Sequence, residues 1–229
     1  IGSAIRAPVS GLEASLEERL YEAAQAALAD AGLIMDDIDG IVVAANDQLD
    51  GRAISVMMAS GSVGGVDRDI LSTPSAGEHA FVMGVLRVAS GQYRTQLVMA
   101  WSPTEAHSIP EVERLAADPY FHRRLPQDDL ASFALQATAL AGKVPQATAA
   151  AEAIAKARPA PQGTEQIDPK RWPLTAAMVS PPVTGVVALV LAHEDFVTER
   201  SPASIAWVRG MGWATEPGFL GDRDLSEAP

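Results

Sequence analysis

Hydrophobic and polar positions alternate along the chain in blocks that predict helices and strands in turn. Between Leu12 and Ala31, apolar side chains recur at helical spacing and polar residues fill the other face, which predicts a helix that packs on one side. Gly32 suits its C-terminal cap. The run 40–45 (GIVVAA) is continuously apolar and bounded by turn residues, so it predicts a strand covered on both faces.

The same alternation continues through the first half of the chain. The opening IGSAIRAP has the pattern of the tail of a strand. The further predicted elements are a helix at Arg52–Ser60, a strand at Ile70–Ser72, a helix at Ser75–Ser90 and a strand at Thr95–Trp101. Strands and helices in this order predict a layered α/β sheet with right-handed crossovers.

Residues 103–181 have a different character, because they are rich in proline and carry a charged segment at Glu111–Arg124. Two helices are predicted there, Gln127–Gly142 and Gln146–Ala157. We interpret residues 103–181 as an insertion that lies over the sheet as a lid.

After the insertion the strand pattern resumes at Thr184–Ala192, and Ser204–Ala214 predicts one more strand. Two strands with no helix between them are expected to be antiparallel neighbours. The predicted core is therefore 1–102 together with 182–214, and 215–229 is expected to be a linker or the start of a missing C-terminal half. Because the chain opens on isoleucine and stops where a helix would start, we expect a fragment, a processed subunit or an incomplete chain.

Composition, net charge and the length of apolar runs argue against several classes of function. A net charge of -12 without clusters of Lys or Arg argues against nucleic-acid binding. The longest apolar runs, such as Val186–Ala192, are far shorter than the ~20 residues that a membrane span needs. The absence of cysteine excludes disulfides, thiolate metal sites and a cysteine nucleophile. No signal peptide is visible, so a cytoplasmic protein is the expectation.

The segment from Ile70 onward predicts a strand that turns sharply into a helix. The first amides of such a helix are unpaired and favour anions and thioester oxyanions. Ser75 and Glu78 form an S-x-x-E capping box and Pro74 precedes it, a pattern that also suits a plain helix start. His79 is either a base or proton donor beside this elbow or a hydrogen-bonded structural residue.

Four segments together resemble the N-terminal half of a thiolase, particularly the lipid-transfer-protein (SCP2) type. They are residues 20–45, 72–101, 180–196 and 205–216. The resemblance implies a layered mixed sheet with helices on both faces. In the family's C-x-S-G-x-x-A motif, Gly77 and Ala80 match, and Pro74 stands where the acyl-accepting cysteine belongs. The family's DGA appears as Thr184, Gly185 and Val186.

Proline has no nucleophilic atom, so covalent acyl transfer at position 74 is not available. Ser75 or Thr73 would serve as the nucleophile only if the alignment with the family motif were shifted, and neither has a visible partnering base in the sequence. The family's other catalytic groups belong to a C-terminal half that this sequence lacks. Some thiolase-like proteins without the elbow cysteine are steroid side-chain retro-aldolases that work with an OB-fold, zinc-ribbon partner.

The resemblance therefore implies a subunit that acts on acyl-CoA thioesters by retro-aldol or Claisen-type chemistry, as a homodimer or with a partner chain. The candidate catalytic residues are Ser75 and His79, and the candidate substrate-binding residues are Gly77, Arg123 and Arg124. The two arginines can meet coenzyme A phosphates or form a solvated charge run. No covalent cofactor is expected.

Two further possibilities concern the histidines and methionines. The spacing of His107 and His122 fits no metal-ligand pattern, so no metal site is predicted. Met57, Met58, Met83 and Met99 suit adaptable packing, or would line a dimer seam or an acyl channel. The alternative to an enzyme is a catalytically silent scaffold that binds acyl-CoA or lipid, or holds an active partner.

Overall fold

The computed structural model describes residues 1–9, 14–51, 53–74, 76–102, 109–125, 127–158, 169–180, 184–200 and 205–227. They form two compact units. The first is Ile1–Ala106 with Val183–Met211, and the second is His107–Pro182 with Gly212–Pro229.

The first unit contains a sheet and the helices that cover it. Its strands are β1 (Gly2–Val9), β2 (Gly40–Ala44), β3 (Asp69–Thr73), β4 (Thr95–Trp101) and β5 (Thr184–Ala192). Its helices are α1 (Leu16–Ala31), α2 (Asp47–Asp50), α3 (Ser55–Ser60), α4 (Gly77–Ala89) and α8 (Glu194–Arg200). The first part of the predicted helix at Leu12–Ala31 lies outside the described residues, and Ser15 caps the observed helix through a capping box with Glu18.

The strands form one mixed sheet in the order β1-β5-β4-β2-β3. β2 runs parallel to β3 and β4, and β5 runs antiparallel to β4 and β1. The predicted layered α/β sheet is therefore confirmed. β2 is buried along its whole length, as its continuous apolar sequence predicts.

The predicted strand at Ser204–Ala214 is wrong. Residues 205–217 have no regular secondary structure, and the antiparallel neighbours of β5 are β1 and β4. A strand needs a free edge in register as well as a suitable sequence, and both edges of β5 are already occupied.

Helices cover both faces of this sheet. α1 buries Leu20 and Leu28 against Ile41 and Met99 on one face. On the other face, Ala80 of α4 belongs to a second apolar cluster whose strand residues are Val42, Ala44 and Val98. The strand side chains alternate between the two clusters, which fixes the register of the buried strands.

The second unit contains α5 (Ile109–Ala116), α6 (Asp129–Lys143) and α7 (Ala147–Ala157). The last two confirm the helices predicted in the insertion. Asp128 caps α6 by accepting a hydrogen bond from the Ala131 amide at 2.7 Å. Within the described ranges, no helix has the length and apolarity that crossing a membrane requires.

Candidate functional site

The predicted elbow lies between β3 and α4. β3 ends at Thr73, Pro74 is exposed, and α4 begins at Gly77. The N-cap residue is Ala76, which is extended and offers no side-chain cap, so the predicted capping box does not start the helix. Ser75 lies outside the described residues. Among the described residues, no side chain caps the amides of Gly77 and Glu78, whereas the His79 amide donates to the Ala76 carbonyl at 3.1 Å. Uncapped amides at a helix start favour an anionic or oxyanionic ligand.

Gly77 lets α4 begin unusually close to the sheet. A Cβ atom built on Gly77 would lie 2.9 Å from Cβ of Ala100, near the end of β4. Ala80, one turn later, is fully buried. The two small residues that match the thiolase motif therefore serve close packing of helix on strand, and this packing holds the helix start at the carboxyl end of β4.

The ends of four strands meet at this edge of the sheet. The Ala45 amide donates to the Thr73 carbonyl at 3.1 Å, which joins the ends of β2 and β3. Beyond β4, the Gly185 amide donates to the Ser102 hydroxyl at 2.6 Å, and the Ser102 amide donates to the Gly185 carbonyl at 3.0 Å. The elbow thus lies at the carboxyl ends of the parallel strands, where open α/β sheets bind ligands.

A buried carboxylate lies at the same edge, and the sequence analysis did not identify it. Asp50 is only 6% exposed. Its two carboxylate oxygens accept from the Trp101 indole at 3.0 and 3.1 Å. Polar residues directly after a buried strand, here Asn46 to Asp50 after β2, were the available signal. The hydrogen bonds between Trp101 and Asp50 hold α2, which follows β2, against the end of β4.

The far ends of β3 and α4 are joined by a polar cluster. Arg87 of α4 donates to the carboxylate of Asp69 at 2.8 Å, and the Tyr93 hydroxyl donates to the same oxygen. The Tyr93 hydrogen bond is the main cause that lowers the pKa of Asp69, with Arg87 adding to it. Asp69 in turn raises the pKa of Tyr93. The cluster therefore joins the first residue of β3 to the last turn of α4.

The predicted site residues are distributed between the two units. Gly77 and His79 share the first turn of α4, where the His79 side chain is exposed. Arg123 and Arg124 belong to the second unit. Arg123 donates to the carbonyls of Leu115 and Ala117 at 2.8 and 3.4 Å, so it caps the end of α5, whereas Arg124 is exposed.

The histidines considered for a metal site have other surroundings. The His122 ring contacts Phe219 edge-on, with centroids 4.7 Å apart, and His107 lies outside the described residues. Among the side chains that the structure describes, no group of three or more His, Asp or Glu could hold a metal ion.

An apolar groove of about 310 Å³ lies beside α4. Phe81, Leu189, Leu191 and Trp207 are among its lining residues. Phe81 follows Gly77 by one helical turn, whereas Val190 and Leu191 line the groove level with the amino-terminal half of β4. A concave apolar surface of this size suits an apolar ligand group.

The sequence matches no family model and no curated protein. Solved structures do match. The Ltp2-ChsH2(DUF35) aldolase superposes with a TM-score of 0.59 at 16% identity, over 86% of this chain and 56% of that chain. A monomeric SCP2-thiolase like protein type 1 from Mycobacterium smegmatis gives a TM-score of 0.61 at 14% identity, over 88% of this chain and 47% of that chain. Human mitochondrial 3-ketoacyl-CoA thiolase in complex with CoA gives a TM-score of 0.55 at 14% identity, over 88% of this chain and 66% of that chain.

The strand order, the helices on both faces and the elbow define a layered α/β protein whose elbow lies at the carboxyl ends of its parallel strands. Its fold is thiolase-like, as the resemblance predicted. The chain spans about half the length of the first two of these structures.

Proposed function

We propose that this chain is a thiolase-fold subunit that binds acyl-CoA thioesters at the elbow between β3 and α4. The observation that carries the proposal is the uncapped start of α4, held at the carboxyl edge of the sheet by the close contact of Gly77 with Ala100. Amides in this position stabilise negative charge on a thioester oxygen. The groove beside Phe81 suits the apolar part of the acyl group.

The reaction that fits an elbow without a nucleophile is cleavage or formation of a carbon-carbon bond. In the cleavage direction, a base removes the proton of a β-hydroxyl group and the carbonyl of the leaving fragment forms. The Cα–Cβ bond breaks, and its electron pair enters the thioester as an enolate, whose oxygen the α4 amides stabilise. A proton then returns to Cα. His79, exposed on the first turn of α4, is the first candidate for this proton transfer, and Ser75, which lies outside the described residues, is the second.

Under this proposal, further groups for the reaction are supplied by a C-terminal half or by a partner chain; this chain spans 56% and 47% of the first two structural neighbours. One of those neighbours is described as an aldolase with two named components. Arg124 is exposed in the second unit, and its contact with coenzyme A phosphates stays a prediction.

The second candidate function is a catalytically silent scaffold that binds acyl-CoA or lipid. The observation that favours it is Pro74, which is exposed at the elbow and provides neither a nucleophile nor an amide. A scaffold would bind the thioester without turning it over.

The test is an assay of thioester-linked carbon-carbon cleavage by the full chain, alone and with the proteins that co-purify with it. For a β-hydroxyacyl-CoA, we expect activity in the complex. His79→Gln should lower kcat about 100-fold, within the range of general acid-base catalysis, and Ser75→Ala should lower it less. His193→Gln, which changes a histidine before α8, is the matched control and should leave kcat unchanged.

Binding without turnover in every combination would support the scaffold. Absence of both binding and turnover would contradict the proposal. Equal kcat values for His79→Gln and the unchanged protein would remove His79 from the mechanism.

A further inference from the structure

Methionine is the only sulfur-containing residue of this chain. The sequence contains seven methionines and no cysteine, and all seven methionines lie among the described residues. The more a thioether is exposed, the more readily it is oxidised to a sulfoxide. The exposure of each methionine therefore predicts where an oxidant reacts first.

Two adjacent methionines of α3 are far more exposed than the others. Met57 is 68% exposed and Met58 is 52% exposed, whereas Met99 is 0% exposed. The other four are half-buried: Met35, Met83, Met178 and Met211. An oxidant in solution therefore reaches Met57 and Met58 before any other sulfur of the chain.

The helix itself turns these two side chains outward. Ser55 and Ala59, four residues apart on one face of α3, are buried. Met57 and Met58 lie between them in sequence, so they occupy the rest of the helix surface. Neither methionine belongs to the two apolar clusters that the described residues form in the core.

The buried face and the backbone hold α3 in place. The Val63 amide, just after the helix, donates to the Ala59 carbonyl at 3.0 Å. Val63 is fully buried. Oxygen added to the two exposed thioethers therefore leaves these contacts unchanged, and we expect the fold to survive the modification.

Oxidation would change the character of exposed apolar side chains. Met57 and Met58 lie with Ile54 and Val66 in the connection from β2 to β3, and all four side chains are more than half exposed. A sulfoxide is polar, whereas a thioether is apolar. Conversion of the methionine pair therefore makes this connection less suited to apolar contacts.

We infer that Met57 and Met58 form a reversible oxidation site for hydrogen peroxide. A lone pair of the sulfur attacks one oxygen of the peroxide, the S–O bond forms and the O–O bond breaks. The second oxygen leaves as hydroxide and takes the proton of the first, which gives water. The sulfur loses two electrons and the peroxide gains them. A methionine sulfoxide reductase reverses the change with two thiols, which become a disulfide as water is released.

The sequence allows the test to follow each position separately. Trypsin, which cuts after Lys and Arg, releases 53–68 as the peptide that holds Met57 and Met58, and every other methionine falls in a peptide of its own. The folded full chain would be treated with hydrogen peroxide, quenched, digested and analysed by mass spectrometry. We expect 53–68 to gain two oxygen atoms at least about tenfold faster than 95–114, which holds Met99, gains one.

Leucine variants provide the controls. Met57→Leu combined with Met58→Leu conserves the apolar volume and should abolish the fast uptake of oxygen. Met178→Leu is the matched control and should retain it. Circular dichroism of the oxidised chain should match that of the untreated chain, and a methionine sulfoxide reductase should restore the original mass.

Two results would overturn the inference. One is uptake at 53–68 that is no faster than uptake at Met99, which is what a second copy or a partner seated on α3 would produce. The other is loss of the circular dichroism signal in step with oxidation. None of these outcomes depends on whether the chain binds acyl-CoA.

Discussion

Two helix glycines show how much a single position depends on its neighbours. A Cβ atom on Gly84 of α4 would lie 2.5 Å from Cγ2 of the buried Val98, whereas a Cβ atom on Gly142 of α6 would meet nothing within 4 Å. Gly84→Ala should therefore lower the free energy of unfolding by about 1–3 kcal/mol through overpacking. Gly142→Ala should raise it by about 0.5–1 kcal/mol, because alanine favours the helix.

Urea unfolding of both variants measures these changes. The two substitutions are chemically identical, so each serves as the control of the other. Changes of the same sign would contradict the packing of α4 against β4 described above.

At the same scale, the sequence predicted the elbow but not all of its surroundings. Pro74 and Gly77 stand out because a family motif and the special chemistry of proline and glycine identify them. Asp50 does not stand out, because its burial depends on Trp101, a residue far away in sequence. The polar residues after β2 indicate this edge of the sheet, but the contact between Asp50 and Trp101 cannot be predicted from one sequence.

At the scale of elements, the cluster of Asp69, Arg87 and Tyr93 should make stability depend on pH. The pKa of Asp69 is lowered below its usual value of about 3.8, chiefly by the Tyr93 hydroxyl. Stabilisation from a lowered carboxyl pKa is present above the unfolded value and is lost as the pH falls through the folded one. Tyr93→Phe should therefore lower the free energy of unfolding at pH 7. The difference in unfolding free energy between this variant and the unchanged protein should become smaller at about pH 3.

Urea midpoints at the two pH values measure this difference. Tyr21→Phe, on an exposed position of α1, is the control and should give a difference that does not vary with pH. A Tyr93→Phe deficit that is as large at low pH as at neutral pH would show that Asp69 is not the partner that matters.

Elements whose own sequence pattern determines their structure were predicted well. The wrong prediction, a strand at Ser204–Ala214, has a physical cause. The strand Thr95–Trp101 was predicted with its observed limits, because burial on both faces gives a continuous apolar run. The segment 204–214 has a similar composition, yet its described part forms no strand. Its local preference was real, but strand formation depends on a pairing partner.

At the scale of the whole molecule, the fold is shared with several enzymes and the reaction is a separate question. Three neighbours with one type of fold are described as an aldolase, an SCP2-thiolase like protein and a 3-ketoacyl-CoA thiolase. A shared fold does not determine chemistry, which depends on the residues of the site. In the thiolase resemblance, Pro74 stands where the family's nucleophile belongs, so binding at the elbow is the step that both proposed roles require.

Hydrogen exchange of the α4 start measures that step directly. The full chain and the proteins that co-purify with it would be compared with and without a saturating acyl-CoA thioester. We expect exchange of the Gly77 and Glu78 amides, at the start of Ala76–Ala80, to slow about tenfold, because the ligand oxygen accepts from them. The amides of α7 serve as the internal reference. Unchanged exchange at Ala76–Ala80 under saturating ligand would contradict a thioester site at this elbow.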